Sequence, residues 1–176
     1  MSTIYLDMDG VIADFFGGIA QKHGVGHWKS IRHKQDLLNS IRYTDFFYQL
    51  KPFETSRALV NHVKQIAEDN NMQWGICSTP LEGDYNNSAY WKRVWLYEHG
   101  WMPSVDQCIF TDRKPDFAWS PITGKPNILI DDKPENIMKW NQAGGIGIRY
   151  QANEDDLEEY LFPEIDDAII RSYHNG

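Results

Sequence analysis

Apolar positions along the chain fall into short runs that alternate with helical stripes. Residues 3–6, 72–77, 107–110, 127–130 and 146–149 are brief apolar segments bounded by turn-forming residues, and each is expected to be a strand. Ala58, Leu59, Val63, Ile66 and Ala67 mark one face of a helix over 57–69, which Asn70-Asn71 stops. Ser88 is expected to cap a helix over 89–99 that Gly100 closes. Pro134 suits the first turn of another, ending before Gly144-Gly145. Strands alternating with helices predict an α/β fold, a Rossmann-like doubly wound parallel sheet. Residues 15–50, with many aromatics and apolar positions at helical spacing, predict a small helical cap inserted after the first strand. The expected division is a core of 1–14 and 51–176, with the cap at 15–50.

In such sheets ligands bind beyond the carboxyl ends of the strands, so the residues that follow each strand carry the functional signal. The first strand leads to Asp7 and Asp9, the second to Ser78 and Thr79, the third to Lys114, and the fourth to Asp131 and Asp132. Each fragment alone is bland. Asp-x-Asp-Gly is a common turn, and an Asp-Asp pair before a helix is often a cap. Together and in this order they gather carboxylates, hydroxyls and a lysine at one sheet edge. Clustered carboxylates repel one another unless a cation sits among them. Hard oxygen ligands in small number suit Mg²⁺, and lysine and hydroxyls suit a phosphate. Asp7 is the candidate nucleophile and Asp9 the candidate acid and base.

Composition restricts the picture further. The chain is 176 residues long, 41% hydrophobic and 24% charged, as expected of one globular domain with a small insertion. No apolar run is long enough for a membrane span, and the first residues do not resemble a secretory leader. The expectation is therefore a cytoplasmic protein with no membrane partner, its oligomeric state open between monomer and homodimer. The net charge is −8, and residues 154–176 hold eight acids against Arg171, an expected solvated helical face. Lys22, Lys29, Arg32, Lys34 and Arg42 face only Asp36 in the insertion. That balance suits a small anion and is too modest for duplex nucleic acid. Cys77 and Cys108 are expected to be reduced core residues.

These motifs resemble the haloacid dehalogenase (HAD) superfamily of phosphohydrolases: Asp7-Met8-Asp9-Gly10-Val11, Ser78, Lys114 and Asp131-Asp132. A closer resemblance is to the 5′(3′)-deoxyribonucleotidases. It runs through Ile12-Ala13-Asp14-Phe15, Asp45-Phe46-Phe47-Tyr48, Ile76-Cys77-Ser78-Thr79-Pro80, Lys92-Arg93-Val94-Trp95, Thr111-Asp112-Arg113-Lys114 and Leu129-Ile130-Asp131-Asp132. The resemblance implies that Mg²⁺ is held by the Asp7 carboxylate, the Asp9 carbonyl and one acid of the final pair, Asp132 favoured over Asp131. It implies that Ser78, Thr79, Lys92 and Lys114 bind the phosphate, and that Phe15 and Phe47 hold a base. Two departures stand out. Ser78-Thr79 reverses the family's usual order, and Arg113 is shifted by one residue. The expected function is Mg²⁺-dependent hydrolysis of (deoxy)ribonucleoside monophosphates through an aspartyl-phosphate. The alternatives are another small phosphometabolite, such as a sugar phosphate, or a polynucleotide end.

Overall fold

The computed structural model describes residues 1–174. Its centre is a parallel sheet of β1 (Thr3–Leu6), β2 (Gln73–Ser78), β3 (Cys108–Phe110), β6 (Ile128–Asp131) and β7 (Ile146–Arg149), in the order β3-β2-β1-β6-β7. A short antiparallel pair, β4 (Trp119–Ser120) and β5 (Lys125–Pro126), precedes β6. The helices are α1 (Phe15–Lys22), α2 (Lys34–Ile41) and α3 (Phe46–Gln49) in the insertion. They are followed by α4 (Ser56–Asp69), α5 (Tyr85–Glu98), α6 (Pro134–Gln142) and α7 (Phe162–His174). The expected strands are all present; the small hairpin is an addition.

Burial on both faces explains why β1 and β6 read as unbroken apolar runs rather than alternating ones. Side chains nevertheless alternate between faces. Ile4, Leu6, Ile76, Ile128 and Ile130 join the large core, while Tyr5, Cys77 and Leu129 pack with Ala118 and Trp140 on the other side. The insertion has no separate core: Ile19, Leu37, Ile41, Phe46 and Phe47 join the same large cluster as the sheet. The tail behaves as its pattern demands. In α7, Ile165, Ala168 and Ile169 are buried while Asp166 and Asp167 face solvent. No helix among the described residues is long and apolar enough to cross a membrane.

One boundary differs from expectation. The helix expected from residue 89 begins at Tyr85, and Ser88 lies inside it. The Ser88 hydroxyl accepts from the Leu81 amide at 2.9 Å, so it braces the preceding loop instead of capping the helix.

From β1 the chain winds first toward β2 and β3, then returns to the other side for β6 and β7. The resulting crevice opens at the carboxyl ends of β1 and β6. Leu6 is in register with both Ile76 and Ile130, which sets Asp7 level with Asp131.

Candidate active site

The turn after β1 is tight. The Met8 carbonyl accepts from the amides of Val11, Ile12 and Ala13 at 2.9–3.1 Å, and the Asp7 amide donates to the Ile130 carbonyl at 2.9 Å. Gly10 has φ +82, and a β-carbon there would overlap the Asp132 carboxylate. Only glycine meets both demands without strain. The same turn thus exposes Asp7 and Asp9 and leaves room for Asp132.

Lys114 is buried between two acids, its Nζ 3.0 Å from Asp7 Oδ1 and 2.6 Å from Asp131 Oδ2. Burial alone would favour the neutral amine, but the charges of Asp7 and Asp131 overcome it and hold the Lys114 pKa above its ordinary value. Asp131 is saturated. Besides Lys114 it accepts from Asn136 Nδ2 at 3.0 Å and from the Lys133 amide at 2.9 Å. Burial, then the Asp7 charge, raises its pKa. Asp132 differs: its Oδ1 is buried with no hydrogen-bond partner. Burial first, then repulsion by Asp7, Asp131 and Asp9, pushes its carboxyl up to about 8.

Asp9 is held from the other side. Lys92, buried in α5, donates to Asp9 Oδ2 at 2.8 Å, to Ser78 Oγ at 2.9 Å and to the Thr79 carbonyl at 3.1 Å. Those bonds use the donors of the ammonium. Lys92 and Ser78 therefore stand behind the cavity wall, whereas Thr79 is on it. Asp9 Oδ1, like Asp132 Oδ1, is buried without a partner.

A cavity of ≈ 320 Å³ opens above these groups, with Asp7, Asp9, Lys114 and Asp132 at its polar end and Phe15, Phe16 and Phe47 on its apolar wall. Phe47 is only 4% exposed, stacks on Phe15 with centroids 6.2 Å apart, and carries Lys92 over its ring at 4.8 Å. Phe16 is half-buried and lies 5.2 Å from Trp28. Asn136 was not anticipated. It lies five residues beyond Asp131, across the loop into α6, and only the fold shows that its amide meets that carboxylate. Arg113 is exposed and paired with Asp116, away from the cavity. Cys77, beside Asp7 in register, is a buried free thiol whose pKa burial pushes up to about 12, so it is inert.

The insertion is fastened to the loop after β2 and to the first turn of α5. Arg42 Nε donates to the Glu82 carbonyl at 2.9 Å, the Tyr43 amide to Asp84 Oδ2 at 2.8 Å, and Asn87 Nδ2 to the Thr44 carbonyl at 2.9 Å. Tyr43 adopts φ 60, uncommon for a residue with a side chain, and its hydroxyl donates to the Gly83 carbonyl at 3.1 Å.

The donor set fits a hard divalent cation. Asp7, Asp131 and Asp132 each offer an oxygen within 4.8 Å of the others, and among the described residues Lys114 is the one lysine whose ammonium forms an ion pair with any of the three. The unpartnered Asp132 oxygen is the group that burial leaves most in need of a positive partner.

A five-stranded parallel sheet of this order is a fold found in HAD-type hydrolases. A solved HAD hydrolase of family IA, variant 3, from Entamoeba histolytica HM-1:IMSS shares it at a TM-score of 0.51, with 14% identity over 97% of this chain and 100% of that one. In sequence the chain is weakly homologous to 5′(3′)-deoxyribonucleotidases, in line with the motifs. The mitochondrial 5′(3′)-deoxyribonucleotidase of Mus musculus is 26% identical over 153 residues, covering 75% of this chain and 64% of the relative. That of Homo sapiens is 24% identical, covering 75% and 62%. The chain thus spans less than two thirds of the length of these relatives. No protein-family model matches it.

Proposed function

We propose that the protein is a Mg²⁺-dependent phosphomonoesterase acting on (deoxy)ribonucleoside monophosphates. The observation that carries this reading is the placement of Asp7. It lies at the polar end of a cavity with an aromatic wall, 3.0 Å from a buried lysine and beside the unpartnered carboxylate of Asp132. The similarity to named deoxyribonucleotidases points to the same substrate class.

An Asp7 carboxylate oxygen attacks phosphorus, and the ester P–O bond breaks to leave an aspartyl-phosphate. Asp9 gives its proton to the departing alkoxide. It then takes one from the water that attacks the acyl phosphate, which releases inorganic phosphate and restores Asp7. Lys92 holds the Asp9 carboxylate in place through Oδ2. Lys114 places positive charge beside Asp7 and the incoming phosphate. Thr79 is the hydroxyl on the cavity surface. Asp7 and Asp132 are the carboxylates to hold Mg²⁺, because Asp131 is already saturated by Lys114, Asn136 and Lys133. When bound, the ion withdraws charge from the phosphate oxygens.

The test is phosphate release from a panel of nucleoside monophosphates and sugar phosphates with Mg²⁺, for the wild type and Asp7→Asn. The expected result is nucleotide turnover that falls by about 10³-fold or more in the variant. Turnover of sugar phosphates without nucleotides would overturn the substrate class, and an active Asp7→Asn enzyme would overturn the mechanism.

A further inference from the structure

Most of the acids that follow β7 face solvent, but Asp155 turns back onto the chain that precedes it. Its Oδ2 accepts from the Gln151 amide at 2.8 Å and from Arg149 Nη1 at 2.8 Å. Its own amide donates to the Gln151 carbonyl at 2.9 Å, and the Glu154 amide donates to the same oxygen at 3.0 Å. Gln151 is buried and gripped at both its N–H and its C=O. A peptide unit is planar, so fixing the Gln151 carbonyl also fixes the direction of the N–H opposite it, that of Ala152.

The Ala152 N–H donates to the Gly10 carbonyl at 2.9 Å, and the Tyr150 amide donates to the Asp131 carbonyl at 3.0 Å. One stretch, residues 150–152, is therefore bonded to both turns that carry acids of the site. Those turns meet each other closely, since a β-carbon on Gly10 would overlap the Asp132 carboxylate. Beyond the bond from the Asp7 amide to the Ile130 carbonyl, this stretch holds the two turns at their spacing. We propose that Asp155 is a positioning residue for the active site. By fixing the peptide between Gln151 and Ala152 it holds the Gly10 carbonyl, and with it the Asp9 turn, in place against Asp132. It touches neither the substrate nor the reacting atoms. The partly exposed ion pair with Arg149 contributes little, so the bond to the Gln151 amide carries the role. The consequence for turnover rests on the phosphatase reading above, and the consequence for Mg²⁺ rests on the donor set of Asp7 and Asp132.

The experiment compares the wild type with Asp155→Ala, Asp155→Asn and Glu154→Ala, each at a temperature where it is folded. Two quantities are read: kcat and KM on one nucleoside monophosphate, and the Mg²⁺ dissociation constant from the rise in melting temperature on titrating Mg²⁺. Asp155→Ala removes both bonds, and its kcat should fall about tenfold while KM changes little, as expected when reacting groups are misplaced. Its Mg²⁺ dissociation constant should rise about tenfold, as for other groups that orient metal ligands. Asp155→Asn keeps an acceptor for the Gln151 amide and should stay near the wild type in both. Glu154→Ala removes only an exposed partner of Arg149 and should also stay near it. An Asp155→Ala protein that melts earlier but keeps kcat and Mg²⁺ affinity overturns the proposal, and so does one that does not fold. An Asp155→Asn protein as impaired as Asp155→Ala, or an equal loss in Glu154→Ala, makes tail charge the cause and overturns it too. A wild type that binds Mg²⁺ but turns over no phosphate ester overturns the phosphatase reading and leaves the Mg²⁺ comparison to decide this one.

Discussion

Lys92 Nζ lies 2.8 Å from Asp9 Oδ2, and the same ammonium holds Ser78 and the Thr79 carbonyl. The residue that steadies the candidate acid and base thus comes from a helix far along the chain, beneath the cavity wall. Lys92→Met keeps much of the volume and removes those bonds. The expected outcome is a fall in kcat of about tenfold to a hundredfold with a smaller change in KM, because general acid–base catalysis depends on placement. Steady-state kinetics on one nucleotide decides it. A change confined to KM would make Lys92 a direct phosphate ligand.

Gly10 and Asp132 give a second prediction. Gly10→Ala forces a side chain into the left-handed region, at about 1–2 kcal/mol, and drives its β-carbon into the Asp132 carboxylate. The variant should be less stable and should lose most of the rise in melting temperature expected of the wild type on adding Mg²⁺. A full Mg²⁺-dependent rise in the variant would show that Asp132 does not hold the ion.

The raised pKa of Asp132 sets a pH dependence. Its carboxyl titrates near 8 in the folded metal-free protein, against about 3.9 for a solvated aspartate. The stability linked to its proton is therefore complete below about pH 4 and is lost as pH rises through about 8. Mg²⁺ competes with that proton. In chelator the melting temperature should fall between pH 5 and 9, and the increment from Mg²⁺ should grow over the same interval. A Mg²⁺ increment that is constant across this range would exclude Asp132 as the controlling group.

The aromatic wall separates packing from binding. Phe47 is nearly fully buried and supports Lys92, so Phe47→Ala should lower stability by about 3–5 kcal/mol and slow turnover of any phosphate ester. Phe16 is partly exposed. Phe16→Ala should raise KM for nucleotides about tenfold through lost stacking and leave a small ester without a base nearly unaffected. Equal losses on both substrates for Phe16→Ala would remove it from base binding.

Strands and motifs were legible because each acid or lysine follows a compact apolar run, and a buried parallel sheet requires such runs. The hairpin of β4 and β5 was not, since two-residue strands leave no periodicity. Ser88 looked like a cap because residue type alone does not show which side of a helix start it occupies. The preference for Asp132 over Asp131 came only from the family resemblance, and its physical basis was hidden: Lys114, Asn136 and the Lys133 amide converge on Asp131 and spare its neighbour. Local sequence gives the pair, and long-range hydrogen bonding distinguishes its members.

The bonds made by Arg42, Tyr43 and Asn87 fasten one border of the insertion to the start of α5 and to the loop that also supplies Thr79 and Glu82 to the cavity. An insertion sewn along that seam is pinned at residues 42–44, whereas the turn at Trp28 on the opposite margin is tied by hydrogen bonds only to its own neighbours among the described residues.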